Sequence, residues 1–207
     1  MFGEETGTSQ ERMAYSLLTS VFGGHIAYSP KEYLVDKEEE IIDVLCWYDK
    51  GIFLVESKSL SNFNPNQSQD RQRKNLKYHI EKAVRQIVGA SRRVRSDTSP
   101  AIKALNIDAD AYRYPLQALV VIMDHHIFAN GDWSDTVDIL ESAIKRNNII
   151  LNVVDLNTLS QLVHMSGYLS KKGGRRLEHF DALLIVRCKL FLETRNLYFN
   201  LTLPSDE

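Results

Sequence analysis

Residues 41–58 read IIDVLCWYDKGIFLVESK, and the rest of the chain can be placed around this stretch. Two strands are expected, Glu40–Tyr48 and Gly51–Lys58, joined through Asp-Lys-Gly, a sequence that favours a tight hairpin turn. Alternate strand residues share a face, so Glu56 and Lys58 project together just beyond the apolar Ile52 and Leu54. A two- or four-residue loop places Asp43 opposite Glu56 or Lys58 on that face; a three-residue loop turns it to the other side. Two carboxylates and an amine at the end of apolar strands are costly unless they are paired or metal-bound. Magnesium prefers such oxygen ligands.

Before the hairpin, Ala14, Leu17, Leu18, Val21 and Phe22 recur at helical spacing, which predicts a helix over Ser9–Phe22 after a loose segment 1–8. Thr8 and Glu11 are spaced as a capping box, while Glu11 also falls on the face of Ala14 and Leu18. His25–Ser29 or Tyr33–Val35 adds a further strand. After the hairpin, SLSNFNPNQSQD at Ser59–Asp70 reads as a loop, of the kind that often covers a site. Leu76, Ile80, Ala83, Val84, Ile87, Val88 and Val94 then mark the longest helix, Arg71–Arg95.

Leu116–Met123 is a strand buried on both faces, and Trp133–Lys145 a helix capped by Asp132. Ile149–Asp155 is a strand, Thr158–Met165 a helix, and KKGGRR at Lys171–Arg176 a basic turn without the spacing of a phosphate-binding P-loop. Leu177–Leu203 fits either a helix or paired strands and is read as a helix followed by an extended tail. The fold class is α/β, in one domain spanning 1–207.

The 207 residues are 43% hydrophobic and 25% charged, enough for a substantial core. The longest apolar runs fall short of the roughly 20 residues a membrane span needs, and the first twenty residues lack the order of a signal peptide. A soluble, cytoplasmic protein is expected. Cys46 and Cys188 both lie in apolar stretches, as reduced core thiols do. The net charge of −2 hides a division. Arg71–Arg95 carries nine basic residues against the single acid Glu81, and Glu32–Glu56 carries eight acids against Lys37 and Lys50. An acidic pocket beside a basic flank suits a metal site that handles a polyanion, although two solvated faces have the same composition.

At this point the chain resembles the PD-(D/E)XK, or restriction-endonuclease-like, nuclease superfamily, nearest in flavour to its nuclease-related, Mrr-like and RecB-like domains. The resemblance rests on residues 41–58 with Asp43, Glu56 and Lys58, on the preceding helix bearing Glu11, and on EKAVRQIVGASRRV bearing Gln86. It covers residues 9–125, with 126–207 completing the sheet. It implies a helix, a three-stranded antiparallel start to a mixed central sheet, a long helix, then further strand-helix units with helices on both faces.

By the same resemblance, Asp43, Glu56 and the Ser57 carbonyl would hold Mg²⁺ or Mn²⁺, and Lys58 would activate water and stabilise the phosphate. Glu11 would reach the metal directly or through water, and Gln86 would contact substrate or water. Two positions depart from the family pattern: Ile42 stands where proline often precedes the aspartate, and Ala90 where RecB-like domains carry tyrosine.

The function expected is a metal-dependent nuclease, more DNA than RNA, with Lys82, Arg85, Arg92, Arg93, Lys171, Lys172, Arg175 and Arg176 on backbone phosphates. Cutting both strands of a duplex needs two sites, which a homodimer would supply. The alternative is a catalytically silent module of the same fold, binding nucleic acid or a protein partner in a repair, restriction or defence complex. A third class, an α/β ligand-binding domain, would use Asp124, His125 and His126. The other histidines, His25, His79, His164 and His179, are isolated and read as structural or exposed, and Trp47 and Trp133 as core anchors.

Overall fold

A computed structural model describes residues 3–34, 37–58, 68–96, 99–122, 128–129 and 131–198. Its centre is a five-stranded sheet in the order β1 (Ile26–Tyr28), β4 (Val44–Tyr48), β5 (Gly51–Lys58), β6 (Leu116–Ile122) and β7 (Ile149–Asp155). β1, β4 and β5 pair antiparallel, whereas β6 and β7 add in parallel, so the sheet is mixed. A separate ribbon pairs β2 (Lys31–Leu34) with β3 (Lys37–Glu40). Both candidates for the extra strand therefore form, in different sheets.

Parallel pairing of β5, β6 and β7 demands crossover helices. α2 (Gln69–Arg95) and α4 (Ser134–Asn147) supply them. Both crossovers step the same way across the sheet, so right-handed connections put both helices on one face. Ile52 and Leu54 of β5, Leu45 and Trp47 of β4, and Val120 of β6 pack there against Ile80, Val84 and Ile87 of α2. The alternate residues Phe53, Val55, Cys46 and Val121 face the other layer, made of α1 (Gly3–Phe22), α5 (Leu156–Lys171) and α6 (Arg176–Thr194). Phe22, Phe53 and Phe180 meet there with ring centroids 4.8 to 6.1 Å apart. Every residue of β6 is buried, as expected for a strand covered on both faces. Cys46 and Cys188 are buried free thiols.

α2 is the longest helix. It opens at Gln69, so the expected loop loses its last two residues to the helix, and 59–67 lie outside the described residues. α1 begins at Gly3, six residues before the expected start at Ser9, and Thr8 lies inside it. The expected capping box of Thr8 and Glu11 is therefore corrected. α4 starts one residue after its N-cap Trp133, with the Ser134 N–H donating to Asp132 at 2.9 Å. α5 runs well past Met165, and the ambiguous stretch 177–194 is helical. A short helix, α3 (Pro100–Lys103), and a 3₁₀ turn at Ala109–Arg113 lead into β6.

The expected strand Glu40–Tyr48 is two strands. Ile41 and Ile42 are consecutive yet both pack into the core on the α2 side, which an alternating strand cannot arrange, so the chain bends there. Lys37–Glu40 stays on the outer ribbon, and Val44 enters the central sheet. The Ser29 N–H donates to the Asp43 carbonyl at 2.8 Å, and the Ile41 N–H to the Pro30 carbonyl at 2.8 Å, fixing the bend against β1.

Candidate functional site

Tyr48 pairs with Gly51, so the β4–β5 loop has two residues, Asp49 and Lys50. The register runs from there to Val44 opposite Val55, and Asp43 stands one step further, at the level of Glu56. The Ser57 N–H donates to Asp43 Oδ2 at 2.6 Å, which locks that carboxylate to β5. Lys58 Nζ pairs with Glu56 Oε1. Glu56 is 1% exposed and Asp43 8%.

Burial pushes the Asp43 carboxyl well above the ordinary carboxylate range, and the neighbouring Glu56 pushes it further, against the Ser57 N–H and Lys58. Glu56 is raised too, by burial first, while Lys58 opposes and Glu40 and Glu11 add to the rise. One ammonium does not compensate the two buried charges.

The bend at Ile41–Asp43 and α2 enclose a cleft of about 160 Å³ at these carboxylates, lined by Asp43, Glu56, Glu40, Gln86, Gly89 and Arg93. Gln86 thus shares the cleft with Asp43 and Glu56. Ala90 also lines the cleft, and its small side chain leaves the space open. A larger cleft, about 530 Å³, lies where α2 ends, between Val94, Ile102 and Tyr112. It has no carboxylate in its lining, so size does not mark the chemistry.

Glu11 stands at the rim. It accepts a hydrogen bond from the Tyr28 hydroxyl at 3.3 Å, and its carboxyl is raised by burial, with Glu40 adding to and Lys58 opposing the rise. Among the described residues no three His, Cys, Asp or Glu side chains converge as a metal site, so Glu11 does not join Asp43 and Glu56 in a three-carboxylate cluster. The donor set nevertheless fits a hard divalent ion. Two buried carboxylates on one cleft carry more negative charge than Lys58 offsets, and backbone carbonyls and water can complete an oxygen shell.

The basic residues divide. Lys82, Arg85 and Arg92 are exposed on α2, while Arg93 lines the cleft and pairs with Glu39 at 3.1 Å. The KKGGRR turn is elsewhere. Arg175 pairs with Asp49 and Glu178, both at 3.0 Å, beside the β4–β5 turn at the opposite end of these strands. Arg176 donates to the Ser20 and Val163 carbonyls at 2.6 and 3.0 Å. Lys172 lies over the Tyr168 ring, and Lys171 closes α5. Of the eight cations expected on backbone phosphates, Lys171, Lys172, Arg175 and Arg176 thus lie apart from α2, and the two arginines tie α6 to its neighbours. Asp124, His125 and His126 lie outside the described residues.

The nuclease-related domain model matches residues 6–123, more than half of the chain. The chain belongs to the nuclease-related domain family. No curated protein and no solved structure matches it. In this nuclease-related domain the mixed sheet with helices on both faces is consistent with a restriction-endonuclease-like fold. Among the described residues no helix is long and apolar enough to cross a membrane.

Two neighbours of the cleft escaped the sequence reading. Glu40 lines it, hidden in an acidic run that reads as a solvated face. His79 precedes Gln86 by two helical turns and so shares its side of α2. Burial, then Lys58 and Lys82, lower its pKa. The seven-residue spacing from Gln86 was the available signal.

Proposed function

We propose that the chain is a metal-dependent nuclease that hydrolyses phosphodiester bonds, DNA in preference to RNA, with Mg²⁺ or Mn²⁺ bound by Asp43 and Glu56. One observation carries the reading: two buried carboxylates and a lysine meet at one cleft at the end of the central strands, with their charge uncompensated. An ion there would supply Lewis-acid polarisation of the phosphate and ease ionisation of water.

The chain's own residues do the rest. Asp43 is aimed by the Ser57 N–H, which leaves its second oxygen for the cleft. The Lys58 ammonium, held against Glu56, orients the attacking water and balances charge building on the phosphate oxygens. Gln86 hydrogen-bonds water or substrate from the facing wall, and Glu11 acts on the rim through water. Water's oxygen bonds to phosphorus, the phosphorus–oxygen ester bond breaks, and the leaving oxygen takes a proton.

Cleavage of labelled single- and double-stranded DNA with Mg²⁺, Mn²⁺ or EDTA tests this. Metal-dependent cutting lost in Glu56→Ala and in Lys58→Ala is the expected result. Salt-sensitive binding without cutting would replace the reading with the catalytically silent module.

A further inference from the structure

Arg71, Lys74, Tyr78, Lys82, Arg85 and Arg92 fall at intervals of three, four and seven along α2, and all six are exposed. They form one stripe opposite the face that buries Ile80, Val84 and Ile87. Among the described residues Arg71, Lys74, Lys82 and Arg92 form no ion pair, and Arg85 reaches Glu81 only at 3.9 Å. The cations are thus available to an external anion. In their midst Tyr78 is 58% exposed, its ring meeting that of His79 edge to face at 5.5 Å between centroids.

We infer that this stripe is a binding track for a single-stranded polynucleotide segment, with Tyr78 stacking on an unpaired base and the flanking cations holding phosphates. The inference rests on the nuclease reading for the direction of the strand, which the track would feed towards the cleft. A row of cations alone would serve duplex and single strand alike. The tyrosine separates them, because a ring standing free on a helix can stack only on a base whose own face is open. From Arg71 to Arg85 the track spans about 21 Å of helix, room for several nucleotides. The track reaches the cleft through Gln86 and Gly89, which line it and lie between Arg85 and Arg92 on the helix.

The test is fluorescence anisotropy of a labelled single-stranded oligonucleotide and its duplex in EDTA, where cleavage cannot intervene, across a salt series. Tyr78→Ala should weaken single-strand binding by about 5- to 100-fold and leave duplex binding and the salt slope unchanged, while Tyr78→Phe retains wild-type affinity. Lys74→Ala should instead reduce the single-strand slope by about 0.7. An unchanged single-strand affinity in Tyr78→Ala, or an equal loss on duplex, overturns the track. The two readings fail separately. Tyr78-dependent binding by a protein that cuts nothing keeps the track and removes the nuclease, whereas cutting with no Tyr78 dependence does the reverse.

Discussion

The two ends of the β4–β5 hairpin carry the same chemical groups in opposite electrostatic states. At the turn, the exposed Asp49 and the half-buried Glu178 share Lys50 and Arg175, which holds Glu178 down to about 2 and lowers Asp49. At the open end, Asp43 and Glu56 are buried with one ammonium between them, and both are raised. Satisfied charges at the turn fasten α6 to the sheet. Uncompensated charges at the open end store an affinity for whatever cation the cleft admits. Burial alone does not make the difference. Asp181 is half-buried and likewise raised by burial, but it accepts hydrogen bonds from the Tyr48 hydroxyl at 2.7 Å and from the Gln117 amide.

The largest effect should follow from breaking the open end. Glu56→Gln and Lys58→Ala are each expected to lower the cleavage rate by at least about 100- to 1000-fold, the scale for removing one preorganised charge from a reaction centre. Lys50→Ala and Glu178→Ala, at the turn, should leave kcat and KM within about twofold, because surface pairs contribute little. Single-turnover cleavage in Mg²⁺ measures all four. Equal losses at both ends would erase the distinction between them.

Much of this contrast was readable before the fold was known. The apolar runs around Leu54, Val120 and Val153 announced the central strands, and the single Glu-x-Lys at their polar end announced the site. The loop length stayed open in the sequence, and the two-residue turn of the fold is what sets Asp43 on the face of Glu56. What stayed hidden depends on contacts between distant residues. Arg175 and Arg176 look like the free cations of α2, and only the docking of α6 on the β4–β5 turn shows them engaged. The bend at Ile41 and Ile42 was masked by a run that reads as one strand. His79 had only its spacing from Gln86 to mark it, and only the fold brings it into the field of Lys58.

The second prediction concerns stability and has the opposite sign at the two ends. Asp43 and Glu56 bind protons more tightly folded than unfolded, so their contribution is present at low pH. It is lost as pH climbs above the ordinary values of 3.8 and 4.5 through the raised ones. Asp49 and Glu178 do the reverse, contributing above those values and losing the contribution as pH falls through the lowered ones. Metal-free protein should therefore melt at a lower temperature at pH 8 than at pH 6. Asp43→Asn should remove most of that slope and stabilise the metal-free fold at pH 8 by roughly 1–3 kcal/mol. Mg²⁺ should raise Tm more at pH 8 than at pH 6, since protonated carboxylates do not bind it. Thermal melts in EDTA and in Mg²⁺ give both slopes, and a slope unchanged by Asp43→Asn would assign it to other groups.

The smallest effect sharpens the comparison from the helix side. Gly89 sits in the interior of α2 and lines the cleft, and a Cβ built there meets nothing within 4 Å. Helix propensity alone then predicts that Gly89→Ala stabilises the fold by about 0.5–1 kcal/mol, read as a shift in urea midpoint at constant m value. A helix glycine that only packs has no reason to resist this change. Substrate entering between α2 and the Asp43–Glu56 end must pass that backbone, and an added methyl narrows the passage. Gly89→Ala should therefore raise KM for a polynucleotide about two- to fivefold while kcat holds, a modest steric loss of under about 1 kcal/mol. Higher stability with unchanged KM would show that substrate reaches the carboxylates without passing α2 at Gly89, and would leave the cleft's outer wall to Glu40 and the β2–β3 ribbon.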